Sequence, residues 1–198
     1  MDVTSTQLLL ERIGPIRHTH YGAFWEFTAD MSKHDTAYSN IHLGAHTDTT
    51  YFTEPAGLQL FHLLDFQGDG GESLFVDGFR AASNLSLEDP GAYEILSQTR
   101  ITAHSAGNED ICIQPTTPFT LLTHNHRGKL TQIRWNNDDR STMDVWAKAE
   151  DVPQFYDALR KWNDILTRDS SEFWVQLQPG VPVVFDNWRI LHGRSAFT

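Results

Sequence analysis

Hydrophobic positions along this chain come in short bursts rather than long helical stripes, a pattern that predicts strands more often than helices. Near the N-terminus, Leu8, Leu9 and Ile13 stand at helical spacing, with Ser5 or Thr6 as the cap and Gly14-Pro15 as the stop. Beyond it, Leu58 to Leu64, Leu74-Phe75-Val76 and Leu130 to Trp135 are short apolar runs bounded by Gly, Asp or Asn. Phe173, Val175 and Leu177 alternate with polar neighbours, Pro179-Gly180 turns the chain, and Val181 to Phe185 reads as a buried strand. Two helices interrupt the strands. Asp89-Pro90 opens one through Tyr93 and Leu96, and Asp151 with Pro153 opens another along Val152, Phe155, Leu159, Trp162 and Leu166. Regular βαβ alternation is missing, so the predicted class is mainly β with flanking helices, a sandwich or jelly roll rather than a doubly wound sheet.

Composition narrows the function. A length of 198 residues suits one domain, and 12% aromatic content is too high for a disordered chain. No apolar run approaches the roughly 18 residues of a membrane span, and the first residues lack the order of a signal peptide. With 15 basic and 26 acidic residues the net charge is −11, and no basic patch offsets it, which argues against nucleic-acid and membrane partners. The single cysteine, Cys112, cannot form an internal disulfide and is expected to be an inert, partly buried thiol; a reducing, intracellular compartment is the expectation, with cytoplasm and mitochondrion undistinguished.

Ten histidines bring chemistry into the picture, above all in His46-Thr47-Asp48. In a strand, residues i and i+2 share a face, so an imidazole and a carboxylate would project toward one point. One further imidazole from a distant strand would complete a two-His, one-carboxylate triad, which leaves adjacent positions open on Fe(II). A chain of this composition produces about one His-x-Asp by chance, so the triplet needs its context. That context is the following Thr49-Thr50-Tyr51-Phe52 and a C-terminal block running from Asp186-Asn187-Trp188-Arg189 to His192-Gly193-Arg194. His18-Thr19-His20 and His124-Asn125-His126 lack a carboxylate at this spacing and read as surface or loop histidines.

Together with Val76-Asp77-Gly78-Phe79 and Arg134-Trp135-Asn136-Asn137, these blocks resemble the trimethyllysine and gamma-butyrobetaine dioxygenase family, within the Fe(II)- and 2-oxoglutarate-dependent oxygenases. The likeness runs from about Tyr21 to the last residue. The resemblance implies a double-stranded β-helix (jelly roll), with His46, Asp48 and His192 as iron ligands and catalytic residues. It also implies 2-oxoglutarate as cosubstrate near Arg194 and Ser73, and ascorbate as an auxiliary reductant. A trimethylammonium group donates no hydrogen bond, so a site for it needs aromatic faces and a carboxylate. The resemblance places Tyr21, Trp25, Asp35 and Tyr38 at that end of the substrate and Asn136 at its polar end, although the three aromatics also suit an ordinary core.

The expected activity is hydroxylation of N6,N6,N6-trimethyllysine at C3, the first step of carnitine biosynthesis, with a small-molecule partner and a homodimer as the family's habit. Two alternatives stay open: a hydroxylase of gamma-butyrobetaine or another small zwitterion, and a non-catalytic module that binds methylated ammonium. Residues 1–198 read as a single oxygenase catalytic domain without the family's small N-terminal domain and its C-terminal end, where the family has a second 2-oxoglutarate arginine.

Overall fold

The computed structural model describes residues 3–26, 28, 38–106, 110–143, 146 and 148–198. Two antiparallel sheets form its centre. The first takes β1 (Leu43–His46), β12 (Ile190–Arg194), β3 (Ser73–Asp77) and β10 (Glu172–Val175) in that spatial order. The second pairs β2 (Leu58–His62) with β11 (Pro182–Asp186). Aromatic rings join the two. Phe61 of β2 lies 5.0 Å from the ring of His192 in β12, and Phe185 of β11 lies 5.4 Å from Phe75 in β3.

Alternation within β3 explains the layering. Leu74 and Val76 point away from the second sheet into the main core, whereas Ser73 and Phe75 point toward it. The core is closed by three helices: α2 (Gly78–Glu88), α3 (Pro90–Gln98) and α4 (Asp151–Leu166). Ala81, Ala82, Leu85, Leu96, Phe155, Trp162, Ile165 and Leu166 cluster with Leu74, Val76 and Leu191 there. Each large apolar side chain buried in this way contributes about 1.5–3 kcal/mol, so this layer is what fixes the first sheet in place. The shorter strands β4 (Arg100–Ile101), β5 (Ser105–Ala106), β6 (Cys112–Ile113), β7 (Phe119–Thr120), β8 (Leu122–His124) and β9 (Leu130–Ile133) pair as β4 with β7, β5 with β6 and β8 with β9.

Several sequence expectations need correction. The first helix, α1, spans Val3–Ile13, so Ser5 and Thr6 lie within it rather than ahead of it; the Thr6 hydroxyl meets His62 Nδ1 at 2.6 Å and ties α1 to β2. Residues 182–186 form a strand, but Val184 is 41% exposed, because among the described residues β11 pairs with β2 alone and turns Phe185, not Val184, toward the centre. The whole of α2 is missing from the hydropathy pattern, since its buried face is built from Gly78, Ala81, Ala82 and Leu85 rather than large apolar residues. The result is a mixed, sheet-rich fold with four helices among the described residues. Cys112 is exposed, not partly buried. No helix among the described residues is long and apolar enough to cross a membrane.

Candidate metal centre

His46 closes β1 directly opposite His192 in β12. The ladder ends there. Thr47 N–H donates to the Trp135 carbonyl at 2.7 Å, and Trp135 N–H donates to Thr47 Oγ1 at 3.0 Å. Asp48 N–H donates to Asn187 Oδ1 at 2.9 Å, while Asn187 Nδ2 donates to the carbonyls of Asp48 (3.1 Å) and Ala56 (2.9 Å). Thr49 takes φ 57°, a left-handed conformation uncommon for a β-branched residue, and its hydroxyl accepts from Ala56 N–H. His46 and Asp48 thus converge for a reason other than strand alternation. The strand stops at His46, and Asn187 and Trp135 fix the turn that carries Asp48.

Among the described residues, one group of three metal-ligating side chains comes together: His46, Asp48 and His192, with one ligand atom from each inside 4.8 Å of the others. His46 Nε2 lies 3.4 Å from Asp48 Oδ1, His192 Nε2 lies 3.5 Å from Asp48 Oδ2, and the imidazole centroids are 4.4 Å apart. His46 Nδ1 sits 2.8 Å from the Gly44 carbonyl. A carbonyl only accepts, so that nitrogen holds the proton and Nε2 offers its lone pair to the site. Phe61 and Phe185 pack on the ring of His192, which is 7% exposed, while Asp48 is 31% exposed.

Electrostatics fit a cation. Burial works to raise the Asp48 carboxyl, but the charges and hydrogen bonds of His192 and His46 outweigh it and hold the group well below the usual carboxylate range. Burial pushes His192 down, against the pull of Asp48. His46 is raised because Asp48 and the Gly44 carbonyl overcome its burial. Two imidazoles and one carboxylate match the donor set of a divalent transition metal such as Fe(II).

Other predicted residues fall around this centre. Arg194, two positions after His192, shares its strand face and stands in register with Ser73. Its Nη2 donates to the Ser39 carbonyl at 2.5 Å, and its guanidinium lies 4.7 Å from the Phe197 ring centre. Tyr21, Trp25 and Tyr38 do come together. Tyr21 and Trp25 stack at 4.2 Å and 17°, and Trp25 Nε1 donates to Tyr38 Oη at 2.7 Å. Rings this close leave no room for a methylammonium between them, so a cation can meet only their outer faces and edges. Asn136 follows Trp135, and its Oδ1 accepts from Asp138 N–H at 3.0 Å. Asp35 lies outside the described residues.

His124 corrects one expectation, being half-buried in β8 and bonded to Tyr93 Oη at 2.8 Å rather than a loop residue. Three contributors escaped the sequence reading. Gln59 Nε2 donates to Asp48 Oδ2. Asp139 Oδ2 accepts from Thr50 Oγ1 at 2.6 Å. Buried Arg134 donates to the carbonyls of Thr50 and Phe52. Arg134 and Asn187 stood inside quoted motifs, whereas Gln59 looks like an ordinary polar position in an alternating strand.

Comparison with known proteins agrees with this geometry. Residues 2–198 match the family model described as "Taurine catabolism dioxygenase TauD, TfdA family". The chain is 46% identical to a trimethyllysine dioxygenase of Meyerozyma guilliermondii over 198 residues, covering 100% of this chain and 50% of that protein. It is 48% identical to a trimethyllysine dioxygenase of Neurospora crassa over 231 residues, covering 100% of this chain and 49% of that protein. The chain thus spans about half the length of these curated relatives. Among solved structures, PvcB from Pseudomonas aeruginosa superposes with a TM-score of 0.66 at 21% identity, over 100% of this chain and 66% of that one, a likeness of fold.

Proposed function

The chain belongs to the TauD, TfdA family, and from that premise we propose that it holds the catalytic centre of an Fe(II)- and 2-oxoglutarate-dependent hydroxylase that acts on trimethyllysine at C3, opening carnitine biosynthesis. The observation that carries the reading is the convergence of His46, Asp48 and His192 within 4.8 Å, with the His46 Nε2 lone pair turned inward by the Gly44 carbonyl. The substrate follows from relatives at 46% and 48% identity that bear the name trimethyllysine dioxygenase.

In this reading His46, Asp48 and His192 hold the iron. Bound iron, with 2-oxoglutarate and dioxygen, supplies the oxidising power that replaces an unactivated C–H with C–OH, releasing succinate and carbon dioxide. The protein's part is to position and to keep dry. Arg194, half-buried and in register with Ser73, offers a planar guanidinium to the distal carboxylate of 2-oxoglutarate, and the Ser73 hydroxyl adds a hydrogen bond. Swinging from the Ser39 carbonyl to a carboxylate would exchange a neutral acceptor for a charged one. Phe61, Phe75 and Phe185 keep water from the imidazole of His192. The outer faces of Tyr21, Trp25 and Tyr38, with Asp35, take the trimethylammonium end, and Asn136 takes the polar end. Anchoring both ends sets one C–H beside the metal. The two facing sheets are the two sides of a double-stranded β-helix in the same reading, supported by the ring contacts that join them.

The test is turnover with Fe(II), 2-oxoglutarate, ascorbate and trimethyllysine, followed by mass spectrometry. A one-oxygen mass increase matched by equimolar succinate, abolished in His46→Ala, supports the proposal. Faster turnover of gamma-butyrobetaine reassigns the substrate. Trimethyllysine binding without succinate points instead to a non-catalytic module.

A further inference from the structure

We propose that Gln59 is a positioning residue of the metal centre, whose side-chain amide holds Asp48 Oδ2 and thereby presents Oδ1 as the single carboxylate ligand. The inference rests on the reading of His46, Asp48 and His192 as a metal site. Gln59 lies in β2 opposite Phe185, in the second sheet, whereas Asp48 hangs from the end of β1 in the first. The Gln59–Asp48 hydrogen bond therefore crosses between the sheets at the triad itself.

Its orientation follows from charge. Turning the amide over would set Oε1 against the ionised carboxylate, so Nε2 must be the atom that faces Asp48. Oε1 is then left buried without a partner among the described residues. A buried carbonyl with no donor is costly, and a leucine or methionine of similar size would avoid the cost. The fold keeps the amide for the one bond it makes. A carboxylate with both oxygens free can chelate a cation through either or both; an N–H fixed on Oδ2 draws electron density from that atom and blocks its approach. Oδ1 remains free, 3.4 Å from His46 Nε2, while Oδ2, 3.5 Å from His192 Nε2, is engaged by the amide.

Co(II) serves as the probe, titrated into the protein and into Gln59→Met and Gln59→Asn, reading the affinity and the visible absorption spectrum while melting each protein without metal. Methionine fills the space with no donor, and asparagine is too short to reach Asp48. The expected result is Co(II) affinity lowered by about 10–100-fold in both variants, with a changed spectrum. The metal-free Gln59→Met protein loses an unsatisfied carbonyl and one hydrogen bond to the Asp48 carboxylate, two effects of opposite sign, so its melt should shift little; a merely structural glutamine would lower the melt and leave the spectrum alone. Affinity within about twofold and an unchanged spectrum in either folded variant overturns the role of Gln59 while the triad stands. Failure of the unsubstituted protein to bind Co(II) overturns the triad and this inference together.

Discussion

Asn187 grips the peptide of Asp48 from both sides, accepting from its N–H at 2.9 Å and donating to its carbonyl at 3.1 Å. The same amide nitrogen reaches the Ala56 carbonyl, so one side chain, 1% exposed, satisfies three backbone groups of the turn that delivers the carboxylate. Asn187→Ala orphans all three, and the expected loss is about 2–4 kcal/mol of stability by urea denaturation. Metal affinity should fall alongside, since Asp48 loses its fixed backbone. An unaltered unfolding midpoint with normal metal binding would contradict the clamp.

Arg134 braces the next stretch of the same turn. It is 5% exposed, donates to the carbonyls of Thr50 and Phe52, and lies 3.6 Å from the Phe119 ring centre. Burial pushes its guanidinium down to about 10, still charged at neutral pH. Lysine keeps the charge but has no planar fork, so Arg134→Lys should cost about 2–3 kcal/mol. Thermal unfolding checks this, and a melt equal to that of the unsubstituted protein would show that charge alone suffices.

Gly193 separates His192 from Arg194 where β12 passes β1. A Cβ there would lie close upon the Leu43 carbonyl, at 2.4 Å, so the two strands must part. Gly193→Ala should destabilise by about 1–3 kcal/mol and weaken metal binding, because His46 and His192 face each other across that pairing. Co(II) titration of the folded variant reads the second effect; unchanged affinity would mean that the strands shift without moving the imidazoles.

Asp139 makes a pH prediction. Burial, reinforced by the Asp48 charge and opposed by the Thr50 hydroxyl, pushes its carboxyl up from 3.8 to about 6. The folded protein then keeps a proton that the unfolded chain releases earlier. Its contribution to stability is complete below pH 3.8 and fades as pH rises to about 6. Stability relative to Asp139→Asn should therefore fall by up to about 3 kcal/mol from pH 4 to 7, then level off. Asp48 is held well below the usual carboxylate range, so it stays ionised across these pH values and adds no slope of its own. Urea titrations across this range decide it, and a difference independent of pH would place the Asp139 carboxyl at its ordinary value.

Sequence reading reaches what depends on near neighbours. Asp89 caps α3 through Ala92 N–H with Pro90 in the first turn, and the stripe from Phe155 to Leu166 builds α4, because caps and helical faces are set by residues three or four apart. It also supplied the residue types of the candidate metal centre, since His46, Asp48 and His192 stand in recognisable blocks. How they meet depends on contacts between distant segments. Asp48 is turned inward by Asn187, 139 positions away, after a strand that ends two residues too early for alternation to do it. Ser73 faces Arg194 because β3 lies beside β12, and Gln59 reaches Asp48 because the second sheet covers the first. Helix α2 likewise needed its neighbours: small residues on its buried face leave no periodic signal, and they pack only because Leu74, Val76 and Leu191 lie beneath them. Contacts of this kind join segments by shape and hydrogen-bond geometry, neither of which leaves a period in the chain.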